Sequence, residues 1–397
     1  MKKSFSLLLA ALIMCGCSSG GVEDSNVIFE DILTHVLSFG DDEINLPADY
    51  LLARPRDVVV HRNGDIIVID EDKIKVYDKD GKPKLIRGGE GQGPGEFDVR
   101  AWKPRISGNG YLSVQDQFYG MNLYGPDYKF IKKENFWQNA VYENISDDYD
   151  IRGVIYGFIY MNDTNRVLYM EGGSKSNPDE SGTTLLGIYD GDNFNEIAKQ
   201  PRQNIYIIPL VFESGSSVNV QFSFRFLGQF LWDYSTIEKL VFIDKGQDII
   251  SEDRAEYELK IYSLADGSAG SIRHEYERIP IEDEMVEDNM NHPRRDRMED
   301  ALEVVKSEIM AKVYNASLQQ IKTDGEFVYA FTYKKNEKDE ILTDVFNVNT
   351  GEYISSAYFP IVPSFIKDGF AYLLIPGSAD NFPRIEKYRI NPKVSGN

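Results

Sequence analysis

Residues 57–87, DVVVHRNGDIIVIDEDKIKVYDKDGKPKLIR, alternate short β-rich runs with turn residues so closely that consecutive hairpins are the natural reading. The run 58–60 is followed by a turn at Arg62-Asn63-Gly64, 66–69 by one at Asp70-Glu71-Asp72, and 73–77 by one at Asp80-Gly81, after which 84–87 closes the unit. Asn-Gly and Asp-Gly tolerate the positive φ that tight hairpin turns require, so the chain is expected to reverse three times. Four antiparallel strands in about 30 residues form one small sheet, the repeating unit of a β-propeller.

The unit returns along the chain. A second reads 105–107, a Gly108-Asn109-Gly110 turn, 111–115, 121–124 and 129–132; a third reads 166–171 and 183–189 with a turn at Asp190-Gly191-Asp192. A fourth has 239–244 and 257–262 with Asp266-Gly267, and a fifth has 319–322, 327–332 and 342–347 with Asp324-Gly325 and Thr350-Gly351. The sixth, 364–366, 370–375 and 384–390 with Asp368-Gly369, ends one strand short. Residues 32–39 (ILTHVLSF) supply a natural donor for that strand, and closing the ring with them removes the open sheet edges that invite aggregation. The wide spacing of the middle units leaves five or seven blades as alternatives.

One segment departs from the β pattern. Within 293–313, Met298, Leu302, Val305, Ile309 and Val313 recur at three- and four-residue steps with charges between them, and Pro293 stands near the start. This is the pattern of an amphipathic helix. Residues 282–287 before it are expected to be a solvated acidic stretch. The expected fold is therefore all-β, a six-bladed β-propeller over 27–397 closed by an N-terminal strand, with one amphipathic helix inserted between blades four and five.

The first residues, MKKSFSLLLAALIMCGCSSGG, join a basic start at Lys2 and Lys3 to an apolar run over 5–14. That run is about half the roughly 20 residues needed to span a bilayer, so 1–16 are expected to be a signal peptide. Met14-Cys15-Gly16-Cys17 resembles a bacterial lipobox, with the small Gly16 just before Cys17 and Met14 where Leu is usual. Residues 17–26 then form a lipidated tether, and the body is expected to hang from a membrane by acyl chains. No cysteine occurs after Cys17, which removes disulfide and cysteine–metal frameworks from the body. The formal net charge of −21 argues against nucleic-acid binding, which needs a cationic footprint.

The run Gly91-Gln92-Gly93-Pro94-Gly95-Glu96-Phe97, with 57–87 before it and RIEKYRI at 384–390, resembles the six-bladed β-propeller lipoproteins of Gram-negative envelopes, a family related to NHL-repeat propellers. The resemblance covers most of the body and is thinnest around 135–235. It implies the propeller and an envelope address, with the outer membrane as the expected location, on either its periplasmic or its outer side; it implies no shared activity. The glycine-rich run lacks the Lys-Ser/Thr and the strand–helix setting of a P-loop, so it reads as a sharp turn between an outer strand and the next inner one.

Catalytic patterns are sparse. The histidines His35, His61, His274 and His292 show no helical ligand spacing, and neither a Gly-x-Ser-x-Gly elbow nor a sialidase aspartate box occurs. The enzymatic alternative is a metal-dependent hydrolase or lyase with a divalent ion, calcium for instance, in the funnel; such ions need only carboxylates, amides and carbonyls. If the innermost strand comes first, one face presents Asp70, Glu71, Asp72, Asp116 and Gln117, with Gln92 and Glu96 on a crossing. Trp102 and Tyr119 are candidate aromatic platforms there. Acids at turns also serve as turn formers and solubilising charge. The reading that follows is non-catalytic binding of a protein, peptide or glycan by one face, with no cofactor and a membrane contact through the lipid; a scaffold for a neighbouring transporter is a further reading.

The anchor is directly testable. Cys17→Ala should leave the protein unacylated and free of the membrane fraction, as read by metabolic lipid labelling and fractionation; retention with intact acylation would refute the assignment.

Overall fold

The computed structural model describes residues 28–396 except 43, 117–119, 136–144, 146–148, 151–154, 163–164, 175–181, 202–203, 213–214, 244–247, 252–253 and 379–380. The expected signal peptide, Cys17 and the tether lie outside these residues.

Six antiparallel sheets follow one another along the chain. Blade 1 is Pro55–Val60, Ile66–Asp70, Lys73–Tyr77 and Pro83–Gly88. Blade 2 is Ala101–Ile106, Leu112–Asp116, Gly120–Tyr124 and Phe130–Asn135. Blade 3 begins with Ile155–Tyr160 and continues with Arg166–Ser174, Thr183–Tyr189 and Phe194–Pro201. Blade 4 is Trp232–Ser235, Lys239–Ile243, Ala255–Ser263 and Ala269–Glu275. Blade 5 is Leu318–Asp324, Phe327–Lys335, Ile341–Asn347 and Tyr353–Phe359, and blade 6 contributes Phe365–Lys367, Phe370–Ile375 and Arg384–Ile390. The turn chemistry is as the sequence indicates. In blade 6, Lys367 pairs with Phe370, so Asp368-Gly369 is a two-residue loop, and its φ values of 52° and 73° are those of a type I′ hairpin.

The N-terminal strand Leu33–Phe39 pairs antiparallel with Arg384–Ile390 and completes blade 6, as expected. Ile32 enters the core between blades 5 and 6, and Phe39 enters the one between blades 6 and 1. Ile28–Phe29 adds a parallel pairing onto Tyr353–Phe359, an attachment the sequence did not reveal.

A separate apolar cluster fills each junction between neighbouring blades. Ile67, Ile69 and Val76 meet Phe97, Val114 and Tyr124 between blades 1 and 2; Met121 and Leu123 meet Leu168, Met170 and Leu185 between 2 and 3. Val167 and Leu186 meet Phe230, Leu240 and Phe242 between 3 and 4, and Val241 and Leu259 meet Ile321, Val328 and Phe346 between 4 and 5. Tyr329, Phe331 and Val345 meet Ile366, Ala371 and Ile390 between 5 and 6. Tyr372 and Ile385 meet Val58, Ile66 and Val68 across the closing junction. Ile66–Asp70 shows why these strands are so apolar. Its side chains alternate, Ile66 and Val68 to one neighbour and Ile67 and Ile69 to the other, so both faces are buried.

The inserted region differs from expectation. The helix expected over 293–313 is the shorter α-helix Glu299–Met310, preceded by a 3-10 turn at Arg295–Arg297. Met298, Leu302, Val305 and Ile309 are buried, whereas Val313 lies beyond the helix, has φ +66° and is 51% exposed. The acidic stretch is not simply solvated. Asp283–Asn289 is a second helix, because Val286 and Met290, four residues apart, supply a buried stripe among the acids. Lys306 holds the two helices together by ion pairs to Asp283 (2.8 Å) and Glu287 (2.6 Å). Both pack on a hairpin the sequence did not disclose, Ile205–Val211 with Ser217–Ser223, in a satellite core that includes Phe222, Phe224, Phe226 and Leu227. No described helix is long and apolar enough to cross a membrane.

Deleting residues 32–39 should destabilise the whole ring, by roughly 3–6 kcal/mol from the lost burial of Ile32 and Phe39 alone. The check is a thermal melt, and unchanged cooperative melting would show that the ring closes elsewhere.

Candidate functional site

The inner strands surround an axial cavity of about 420 Å³. Asp57 comes from blade 1, Trp102, Lys103 and Arg105 from blade 2, Ile159 from blade 3 and Trp232 and Asp233 from blade 4; blade 5 gives Gln320, Lys322 and Asp324, and blade 6 gives Ser364 and Lys367. Arg225 and Gln229 join them from the segment before blade 4.

Local irregularity aims these side chains. Strict alternation would put Lys103 and Arg105 on one face of the strand and Trp102 on the other. In blade 2 the register steps from Trp102 opposite Gln115 to Arg105 opposite Ser113, so one extra residue is inserted, and Lys103 has φ +44°. This bulge lets all three line the cavity. A similar step occurs in blade 1 between Pro55 and Asp57, and another in blade 5 between Leu318 and Gln320. Arg225 is positioned differently. It begins the 3-10 turn Arg225–Leu227, whose Phe226 and Leu227 are locked into the satellite core while Arg225 is exposed at the cavity rim. The satellite thereby fixes one wall of the site.

Hydrogen bonds link the blades at one end of the cavity. The Gly108 N–H donates to the Tyr234 hydroxyl at 3.2 Å, bridging blades 2 and 4, and Lys367 Nζ of blade 6 reaches Thr236 Oγ1, in the turn after blade 4's first strand, at 3.5 Å. Ser235 Oγ donates to the Gly325 carbonyl. These bonds tie together the turns after the inner strands, whereas Trp102 and Trp232 stand at the starts of theirs, toward the opposite end.

Electrostatics are uneven. Burial pushes the Asp57 carboxyl up, opposed by Arg105, Lys322 and the Lys103 cation, and by a hydrogen bond from the Lys103 backbone. Burial, then repulsion from Arg105, pushes the Lys103 ammonium down to about 8, with Asp57 and Glu171 opposing and Arg225 adding to the repulsion. Burial also lowers Lys322, whose Nζ donates to the Ser364 carbonyl at 3.0 Å. Asp233 accepts from the backbone N–H (2.7 Å) and hydroxyl (3.1 Å) of Thr323, and Asp324 accepts from the N–H groups of Asp368 (2.8 Å) and Gly369 (2.7 Å). Three carboxylates held by donors and interleaved with cations are a poor donor set for a hard divalent ion, and no group of three His, Cys, Asp or Glu suited to a metal occurs among the described residues.

Of the residues singled out from the sequence, Trp102 lines this cavity. Asp70 is fully buried, accepts from the N–H groups of Ala53 and Arg54 and pairs with Lys75 at 2.7 Å. Asp116 does the same in blade 2, accepting from Asp98 and Val99 and pairing with Lys133 at 2.8 Å. The two form a repeated latch on the chain just before each inner strand. Glu96 folds onto the Gly93 N–H at 2.8 Å, Gln92 is exposed, and Asp72 is half-buried with its carbonyl accepting from Gly89. Gln117 and Tyr119 lie outside the described residues. The sequence reading missed Asp57, Lys103, Arg105, Arg225, Lys322 and Lys367. Its available signal was charge within otherwise apolar innermost strands, as in WKPR at 102–105 and WDYS at 232–235.

The fold and cavity together define a six-bladed β-propeller with a charged axial funnel. No family model and no curated protein matches the chain. Among solved structures it is similar to an exported protein from Bacteroides fragilis, at 11% identity over 91% of this chain and 98% of that one with a TM-score of 0.46. It is also similar to BamB from Moraxella catarrhalis, at 11% over 90% and 100% with a TM-score of 0.28. The β-propeller domain of the Trilobed protease from Pyrococcus furiosus gives 10% over 84% and 82% with a TM-score of 0.35. Likenesses this distant carry no functional argument; the propeller rests on the strand pairings.

Because the Lys103 pKa falls below its unfolded value, the unfolded chain binds more protons between about pH 8 and the ordinary lysine range, so stability from this group rises with pH there. Lys103→Met should therefore melt at or above the wild type at pH 7, and the difference should shrink toward pH 9.5. A difference independent of pH would show that Lys103 is not held in this environment.

Proposed function

We propose that this chain is an envelope lipoprotein, anchored through Cys17 at the outer membrane, whose propeller captures a protein, peptide or glycan at the funnel mouth without changing it chemically. The observation that carries this reading is the axial cavity itself. Side chains from all six blades converge on it, and two tryptophans and several cations stand in its wall. Rigid inner strands, fixed by junction packing on both sides, present these groups in a preformed arrangement, which lowers the ordering cost of binding. None of the four histidines lines the cavity, so the commonest general base is not at hand for the hydroxyls of Thr236, Thr323 or Ser364. The lipid tether would hold the disc near a membrane and raise the local concentration of envelope ligands around it.

The test is a thermal melt of the purified protein against panels of peptides and oligosaccharides, with ligand mass checked afterwards. A ligand at about 100 times its Kd should add roughly 2.7 kcal/mol of stability and be recovered unchanged. Arg225→Ala at the exposed rim should weaken that ligand. Recovery of a product of altered mass would overturn the non-catalytic reading, and a shift unaffected by both Arg225→Ala and Trp102→Ala would overturn the funnel as its site.

A further inference from the structure

We propose that the axial funnel captures a small molecule or chain end carrying two or more oxyanion groups, gripped by Arg105, Arg225 and Lys322. This rests on the reading of the funnel as a capture site and names what it captures.

The chain as a whole is acidic, at −21, yet the funnel reverses that balance. Its lining carries the cations Lys103, Arg105, Arg225 and Lys322 against the carboxylates Asp57, Asp233 and Asp324, with Lys367 paired to the adjacent Asp368 at 3.2 Å. The carboxylates are already engaged: Asp57 by the Lys103 backbone, Asp233 by Thr323, and Asp324 by the Asp368-Gly369 turn. The cations are less well matched. Lys322 donates to the Ser364 carbonyl, Arg105 donates to the neighbouring Pro104 carbonyl at 3.2 Å, and among the described residues neither they nor Arg225 form an ion pair with a carboxylate. Asp57 and Asp233 offset part of this charge at Lys322 and Arg105, but the confined cations still outnumber the carboxylates, and an excess of buried like charge costs free energy. An anion entering the funnel would supply the missing charge.

Geometry agrees. Arg105 lies 5.8 Å from the Trp232 ring and Lys103 lies 5.1 Å from the Trp102 ring, so aromatic walls restrain two of the cations before a ligand arrives. The bulge at Lys103 is what turns both cations and Trp102 inward. A cavity of about 420 Å³ takes a small molecule or the end of a chain, not a folded domain. Guanidinium groups bind carboxylate and phosphate alike in a forked geometry, so the shared chemistry is the oxyanion, carried by an acidic sugar or by a phosphate compound.

Titration calorimetry on the purified full chain decides the matter, with digalacturonate, inorganic pyrophosphate and the neutral cellobiose as probes. At least one anion should bind with a Kd below about 1 mM and cellobiose should not, and the stronger of the two anions identifies the source. Lys322→Met should weaken that anion by roughly 30-fold or more while melting at or above the wild type, since it removes a confined cation. Arg225→Gln, exposed and outside the packed core, provides the same test where Lys322→Met does not fold. Neither anion binding, or an anion binding both variants as tightly as the wild type, would overturn the proposal. A neutral sugar or peptide captured at the funnel with affinity unchanged by these substitutions would overturn the anionic assignment and leave capture standing. Chemical conversion of a bound anion would overturn capture and leave the oxyanion site standing.

Discussion

A blade of this protein is a single sheet and has no interior of its own, so every apolar side chain on either face must be covered by the next blade. The strand Ile66–Asp70 makes the constraint concrete. Ile67 and Ile69 are buried against blade 2, Ile66 and Val68 against blade 6, and any one-residue slip would exchange the two sets. Stability is therefore a property of the ring, and the ring must close. Closure falls to Leu33–Phe39, which is distant in sequence from its partner Arg384–Ile390; Ile32 just before it and Phe39 at its end enter the junctions on the two sides of blade 6.

The same packing explains why the funnel can hold charge. Inner strands that are clamped from both sides tolerate bulges and a positive φ at Lys103, because the surrounding junctions dictate their position. Asp70 and Asp116 extend that control. Each grips two backbone N–H groups just ahead of an inner strand and is neutralised by a lysine, which sets where the strands bearing Asp57 and Trp102 begin. These carboxylates are part of the frame. The chemistry at the axis belongs to a different set of residues.

The insertions add a second level of organisation around blade 4. The hairpin Ile205–Val211 with Ser217–Ser223 precedes that blade and the two helices follow it, and they share one apolar core. Phe226 and Leu227 belong to that core while the adjacent Arg225 reaches the funnel, so the satellite couples to the axis through a single 3-10 turn. The helix Glu299–Met310 thus takes part, through that core, in positioning a residue of the site.

The repeating hairpins, their Asp-Gly and Asn-Gly turns and the missing sixth-blade strand were legible because each is a local pattern: two-residue periodicity, positive-φ turn chemistry and a count. The apolar stripe of Glu299–Met310 was legible for the same reason, at helical period. The buried stripe of Asp283–Asn289 was obscured because two apolar residues among acids give too weak a period. The hairpin of the satellite went unseen, and so did the parallel attachment of Ile28–Phe29, a contact between residues more than 300 positions apart. The funnel was hidden for a deeper reason. Acids at turns are conspicuous in sequence, whereas Lys103, Arg105, Arg225 and Lys322 are scattered over some 220 positions and become one site only when six inner strands converge on an axis. Local sequence determined the blades; which charges face one another across the centre was decided by closing the ring, because that distance is set by the packing of all the blades at once.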